Sequence, residues 1–215
     1  MALAQGHDLG DNMDKFIDKF KPFLINESDS KELYALQTKI LNSHSEESLK
    51  IMQLALLQCE FPFENYERAI EILRLNAGES KDIRTGIIGF EMSFLFSDVD
   101  NAFRDNIKRL YAESSGYYQS LAEYLFALEY YLNKDYNSAL THLNKSIELC
   151  DKHVYNYELM SKLCRGSKKK AFLELARNNI QGPRYCTPGQ TIPDPDDYIG
   201  EFVSGRMRPT ETFDE

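Results

Sequence analysis

Few residues in this 215-residue chain stand at spacings that support chemistry. A zinc site needs Cys or His ligands clustered at short intervals. Cys150, His153 and Cys164 come nearest to that pattern, whereas His7, His44 and His142 have no ligand partner at helical spacing. A small buried hydrophobe is the competing reading for each cysteine, so no metal and no other cofactor is expected. The chain has no Gly-x-Gly-x-x-Gly motif and no phosphate-binding lysine loop. Gly86 and Gly89 are two glycines inside a helical stripe. No Ser/His/Asp constellation is readable. The many carboxylates fall on polar helix faces, where solvation is the expected role. Lys168, Lys169 and Lys170, near Arg165, form the sole basic cluster. Its expected role is to solvate the start of a helix; contact with a phosphate or an acidic partner is the alternative. The expectation is a protein that is not an enzyme.

Composition narrows the partners. The net charge is −9. Nucleic-acid binding depends on neutralising phosphates with Lys and Arg, so nucleic acid is an unsuitable main partner. Docking on anionic membranes is disfavoured for the same reason. Apolar residues make up 42%, with only 11 glycines and 7 prolines, as in a globular chain. The four cysteines are scattered and read as free thiols of a reducing compartment, which suggests a cytoplasmic location. Asp8, Asp11 and Asp14 near the start leave no apolar core for a signal peptide. No apolar run approaches the length of a membrane span.

Helical periodicity organises residues 11–178 after a flexible leader over 1–10. Met13, Phe16, Ile17, Phe20, Phe23 and Leu24 trace a first stripe, which Pro22 ends. Further helices are expected over 31–43, 46–59, 65–77 and 81–96, with starts at Ser30 and Ser80 and a stop at Gly78. The 46–59 helix is apolar on most sides and should be buried on most sides. Pro62 breaks the chain after it, and Asp98 opens a helix carrying Val99, Ala102, Phe103, Ile107 and Leu110. Helices over 117–133 and 135–150 follow, joined by Asn133-Lys134-Asp135-Tyr136, with Asp135 placed to cap the second. Two shorter helices, 153–165 and 167–178, complete ten.

The pair from Gly116 to Cys150 resembles a tetratricopeptide (TPR) repeat. Ala127, Tyr130, Asp135-Tyr136, Ala139, Leu143, Ser146 and Leu149 carry the likeness. Lys134 replaces the turn glycine, Glu123 stands where the family prefers Trp, and Ser146 replaces an alanine. Ala35, Ala69, Ala102, Ala139 and Ala171 recur near the 34-residue TPR period. The resemblance implies an all-α fold: an α-solenoid of about five antiparallel hairpins. An ordinary helical bundle is the competing architecture. After Asn179 the periodicity stops and five of the seven prolines occur. An irregular acidic tail over 179–215 is expected, either loose or packing part of 184–203 on the solenoid or a partner.

Stacked hairpins present a concave face lined by first helices. The resemblance places Tyr124, Leu128 and Tyr131 on that face, with Phe90 and Phe94 from the 81–96 helix and Met52 and Leu56 from the 46–59 helix. Interhelical packing is the competing role for each. The expected function is a non-catalytic adaptor, assembly factor or chaperone that binds a protein or peptide segment in a tyrosine-rich groove. An obligate structural subunit of a larger complex is the alternative. A helical enzyme with an unreadable site is the third reading.

Overall fold

A computed structural model describes residues 18–60, 63–94, 100–178 and 192–199. Among these residues the structure is helical and contains no strand. The expected leader, most of the first expected helix, Pro62, Asp98 and most of the tail lie outside the described residues. No helix among them is long and apolar enough to cross a membrane.

The chain divides into two compact units, Met1–Leu73 with Thr187–Pro193, and Arg74–Cys186 with Asp194–Glu215. The first contains α1 (Lys31–Leu41), α2 (Glu47–Gln58) and the start of α3 (Tyr66–Ala77). Residues 18–20 are helical, and Pro22 lies in a 3₁₀ turn, Lys21–Phe23, that leads to extended backbone at Leu24. Ser30 caps α1 by accepting from the Leu33 amide at 3.3 Å. The α2 residues Ile51, Met52, Ala55, Leu56 and Leu57 are all fully buried, in keeping with a helix that is apolar nearly all round. Polar side chains tie irregular backbone to these helices. Buried Gln37 accepts from the Ile25 amide at 2.7 Å and donates to the Ile25 carbonyl at 3.0 Å. Gln58 donates to the Phe23 carbonyl at 3.1 Å, and Arg68 donates to that of Pro22.

The second unit contains the end of α3, then α4 (Ile83–Ser93), α5 (Asn101–Leu110), α6 (Gly116–Leu132), α7 (Tyr136–Leu149), α8 (Val154–Leu163), α9 (Gly166–Asn178) and a single turn, α10 (Pro195–Tyr198). Each of the helices α4 to α9 has caps or stripes that explain it locally. Asp82, rather than Ser80, caps α4 by accepting from the Arg84 amide at 2.9 Å. Ser80 is buried and instead pairs its hydroxyl with that of Thr85 at 2.9 Å. Asp100 caps α5, and Asp135 caps α7 through the Ser138 amide.

Packing follows the order of the chain. Helix α4 packs on α5 and on α6; α6 packs on α7 and on α8; α8 packs on α9. Asn106 of α5 donates to the Ala77 carbonyl at 2.8 Å and Arg109 to the Ser80 carbonyl at 2.6 Å, so α5 closes the end of α3. Arg104 of α5 pairs with Glu129 of α6.

The alanine series does not mark five equivalent contacts. Ala69 and Ala139 are fully buried, but Ala35 and Ala171 are exposed and Ala102 is half-buried. At α4 and α5 the small residues sit on the other partner. A Cβ on Gly86 would lie 2.5 Å from Asn106 Oδ1, and one on Gly89 would lie 2.3 Å from the Phe103 ring. Glycine here lets the two helices approach each other.

The turn between α6 and α7 explains a departure from the TPR pattern. The Asp135 amide donates to the Tyr130 carbonyl at 2.9 Å, and the Lys134 amide to that of Tyr131 at 3.0 Å. This pair of bonds is a Schellman stop, which wants a left-handed residue between. Lys134 supplies it at φ 63°. A side chain in that region costs roughly 1 kcal/mol, partly offset by the greater freedom of glycine in the unfolded chain. Lys134→Gly is therefore expected to raise stability by about 0.5 kcal/mol, read as a higher urea midpoint at unchanged slope.

Candidate functional site

The residues expected to line a groove fall into both units. Met52 and Leu56, on α2, are fully buried within theirs. Phe90 of α4 is also fully buried, and Phe94 at the end of α4 is half-buried, 5.2 Å from it between ring centroids. The ring facing Phe90 from α6 is Phe126, at 6.0 Å. On α6, Tyr124 is 6% exposed and Leu128 8% exposed. Tyr124 meets α8 at its start: its ring lies edge-on to His153 at 5.2 Å and 5.9 Å from Tyr155. Tyr131 is half-buried and lies 5.9 Å from Tyr136 of α7. Beside it Leu132 is 52% exposed and Tyr136 49% exposed. The open apolar surface of this hairpin lies at its turn, around Tyr131, Leu132 and Tyr136, and at Tyr117 at the far end of α6, while Tyr124 and Leu128 lie mostly beneath the surface.

Against the general expectation of solvated carboxylates, one carboxylate is buried between α6 and α7, within a cluster whose other members stay partly exposed. Glu123 is 3% exposed. Its two oxygens meet His142 Nδ1 at 2.6 Å and Lys145 Nζ at 2.6 Å. The His142 ring stacks on Tyr130 at 5.2 Å and 14° and meets Phe126 edge-on at 5.7 Å. Lys145 sits 4.8 Å above the Tyr111 ring. Burial pushes the Glu123 carboxyl up, but Lys145, His142 and Tyr111 together hold it below the usual carboxylate range. The buried Tyr111 hydroxyl adds to that field without completing a hydrogen bond of its own. Both carboxylate oxygens are occupied and the imidazole is flat against a tyrosine, so the cluster clasps α6 to α7.

One turn along, a second polar network joins α6, α7 and α8. The Ser146 hydroxyl donates to the Ser120 carbonyl at 2.6 Å and lies 2.8 Å from Asn156 Oδ1. Ser120 hydroxyl reaches the Ser146 carbonyl at 2.9 Å. All three residues are fully buried. A hydroxyl at Ser146, where the TPR pattern has alanine, thus finds partners on both neighbouring helices. His153, next to this network, is pushed down to about 4 by burial and stays neutral at pH 7. Cys150, His153 and Cys164 do not converge: among the described residues no group of three His, Cys, Asp or Glu side chains could hold a metal ion.

No family model, curated protein or solved structure matches this chain. The geometry alone carries the functional reading.

A further polar site holds the turn α10 within the second unit. Arg84 donates to Asp196 Oδ2 at 3.1 Å, and the Tyr118 hydroxyl donates to Asp196 Oδ1 at 2.7 Å. Lys168, Lys169 and Lys170 are exposed on the first turn of α9. Phe172 and Leu173 of α9 are half-buried, and Leu175 is 41% exposed.

Proposed function

We propose that this chain is a non-catalytic protein-binding module of TPR-like build, which holds a partner segment against its first helices. The observation that carries this reading is the packing order of the second unit, in which α4, α6 and α8 pack in succession while each also packs on the helix that follows it. That is the neighbour pattern of a helical repeat, where each hairpin contacts only the next. The pairs Ser120–Ser146, Glu123–His142 and Tyr131–Tyr136 run in opposite order along α6 and α7, as in an antiparallel hairpin. The aromatic surface at Tyr131, Leu132 and Tyr136 supports a partner that presents apolar side chains, because tyrosine gives a large contact area at small entropic cost. Tyr124 and Leu128, on the same helix as Tyr131, are mostly buried, and Tyr124 packs on the start of α8.

The test is affinity capture with wild type and with a Tyr124→Ala/Tyr131→Ala variant, identified by mass spectrometry. A partner retained by wild type and weakened about tenfold or more in the variant is expected. Equal retention by both would remove the α6 face from the reading. Should the variant lose its circular-dichroism signal, Tyr124 acts in packing, and Tyr131→Ser alone then carries the comparison.

A second reading, an obligate subunit of a larger complex, draws on α9. Its half-buried Phe172 and Leu173 and its exposed Leu175 suit a helix that another chain covers.

A further inference from the structure

The turn α10 lies against α4 and is held there by chemistry distant in the chain. Pro195 and Tyr198 are buried, while Asp196 is half-buried between them. Asp194 caps the turn by accepting from the Asp196 amide at 3.1 Å, which fixes the backbone that carries Asp196. Both Asp196 oxygens are then taken, one by Arg84 and one by Tyr118.

The receiving side is braced by contacts of its own. Asp82 grips Arg84 along one edge, through Nη2 at 2.7 Å and Nε at 3.1 Å. That bidentate grip fixes the plane of the guanidinium and leaves Nη1 for a second carboxylate. The Tyr118 ring is braced edge-on by Tyr117 at 5.4 Å. Burial, then the neighbouring Asp196, pushes the Tyr118 hydroxyl up to about 12, so it remains a hydrogen-bond donor at neutral pH. Arg84 and Tyr118 stand in the first turns of α4 and α6, which pack on each other.

We infer that Arg84, oriented by Asp82, and Tyr118 form a binding site for an acidic turn in which proline precedes a carboxylate and a tyrosine, and that Pro195–Tyr198 is its resident ligand, exchangeable with a peptide of the same chemistry. Among the described residues the grip includes one ion pair, one hydrogen bond and two buried side chains. The Asp196 side chain is 40% exposed, where an ion pair adds little. An ion pair this exposed leaves room for exchange, and its geometry selects a carboxylate at one position. The inference stands whether or not the α6 tyrosines bind a partner.

The experiment is a fluorescence-anisotropy titration of a labelled synthetic peptide spanning residues 192–199 into the full chain. Wild type, an Asp196→Asn/Tyr198→Ala variant that frees the site, and that variant with Arg84→Gln added are compared. The freed variant is expected to bind the peptide at least tenfold more tightly than wild type. Adding Arg84→Gln is expected to return binding to the wild-type level or below, and raising the salt concentration should weaken binding to the freed site. Equal binding by wild type and the freed variant, or binding insensitive to Arg84→Gln, would overturn the inference and leave the turn as fixed structure. Should the freed variant lose its helical signal, the same comparison made with Asp196→Asn alone decides it.

Discussion

Replacing His142 with leucine and Lys145 with methionine together is expected to lower stability by about 3 kcal/mol at neutral pH, and to reverse the slope of stability against pH in acid. A buried carboxylate stripped of its partners costs about 3–5 kcal/mol. The lower end applies because His142 and Lys145 keep 30% and 53% of their side chains exposed. In the wild type, the partners outweigh burial and hold Glu123 below its ordinary value. The unfolded chain then binds more protons than the folded one as pH falls. The contribution is fully present above the ordinary carboxylate value of about 4.3 and is lost as pH drops through the folded value. In the double variant burial acts with only Tyr111 opposing it, and the folded value rises above the ordinary one. Folding then takes up a proton, and stability falls as pH rises through that window. Urea melts at several pH values between about 3 and 7 read both slopes. Parallel slopes would show that the clasp is not what holds Glu123 ionised. Glu123→Met should cost less than the double variant, since the partly exposed His142 and Lys145 side chains it leaves can turn to water.

The clasp shows why part of this molecule was legible in its sequence and part was not. Helices and their ends are local. The stripe and the Asp135 cap placed the α6–α7 hairpin within about a residue of Gly116–Leu132 and Tyr136–Leu149. Burial of a charge is not local. Glu123 lies among Leu121, Tyr124 and Leu125 on a helix apolar on nearly every side, so periodicity offered no polar face to put it on. Its partners stand on the next helix, and only their approach makes its burial tolerable. The one available signal was that a TPR pattern wants a large buried ring at this position. His142 and Lys145 supply the polar partners, and Phe126 and Tyr130 the aromatic packing.

The expected groove fared differently for the same reason. Met52, Leu56 and Phe90 have the residue types of a docking face, but those types serve a packed interior equally well, and the structure buries all three. Which side of an apolar helix stays open depends on what its neighbours cover. The turn residues Leu132 and Tyr136 are open because the helix ends there and no further turn shields them. Asp196 lies in the 184–203 stretch expected either to pack or to stay loose, but nothing local named its partners. Its partners, Arg84 and Tyr118, are remote in sequence, and the proline spacing around it reads as irregular backbone.

Gly89→Ala is expected to destabilise the protein by about 2 kcal/mol, although alanine is the better helix former. In an exposed helix the exchange would gain about 1 kcal/mol. Here the added methyl would sit 2.3 Å from the Phe103 ring, with two further ring atoms within 2.6 Å. Phe103 is fully buried and cannot swing away. The methyl must therefore push α5 off α4, and overpacking of this kind costs about 1–3 kcal/mol, with the loss of Asn106 and Arg109 bonding to the end of α3 added to it. The mechanism predicts its own rescue. Phe103→Leu opens space at the contact at a cost of its own, about 1 kcal/mol. The pair Gly89→Ala/Phe103→Leu should then lose less than the sum of the two single changes, by about 1 kcal/mol of coupling in a double-mutant cycle. Additive losses would mean that the glycine is not there for the ring. A gain in stability from Gly89→Ala alone would mean that α4 and α5 do not approach as closely as this contact requires, and with it would go the account of why glycines of α4, and not Ala102 of α5, stand at this contact.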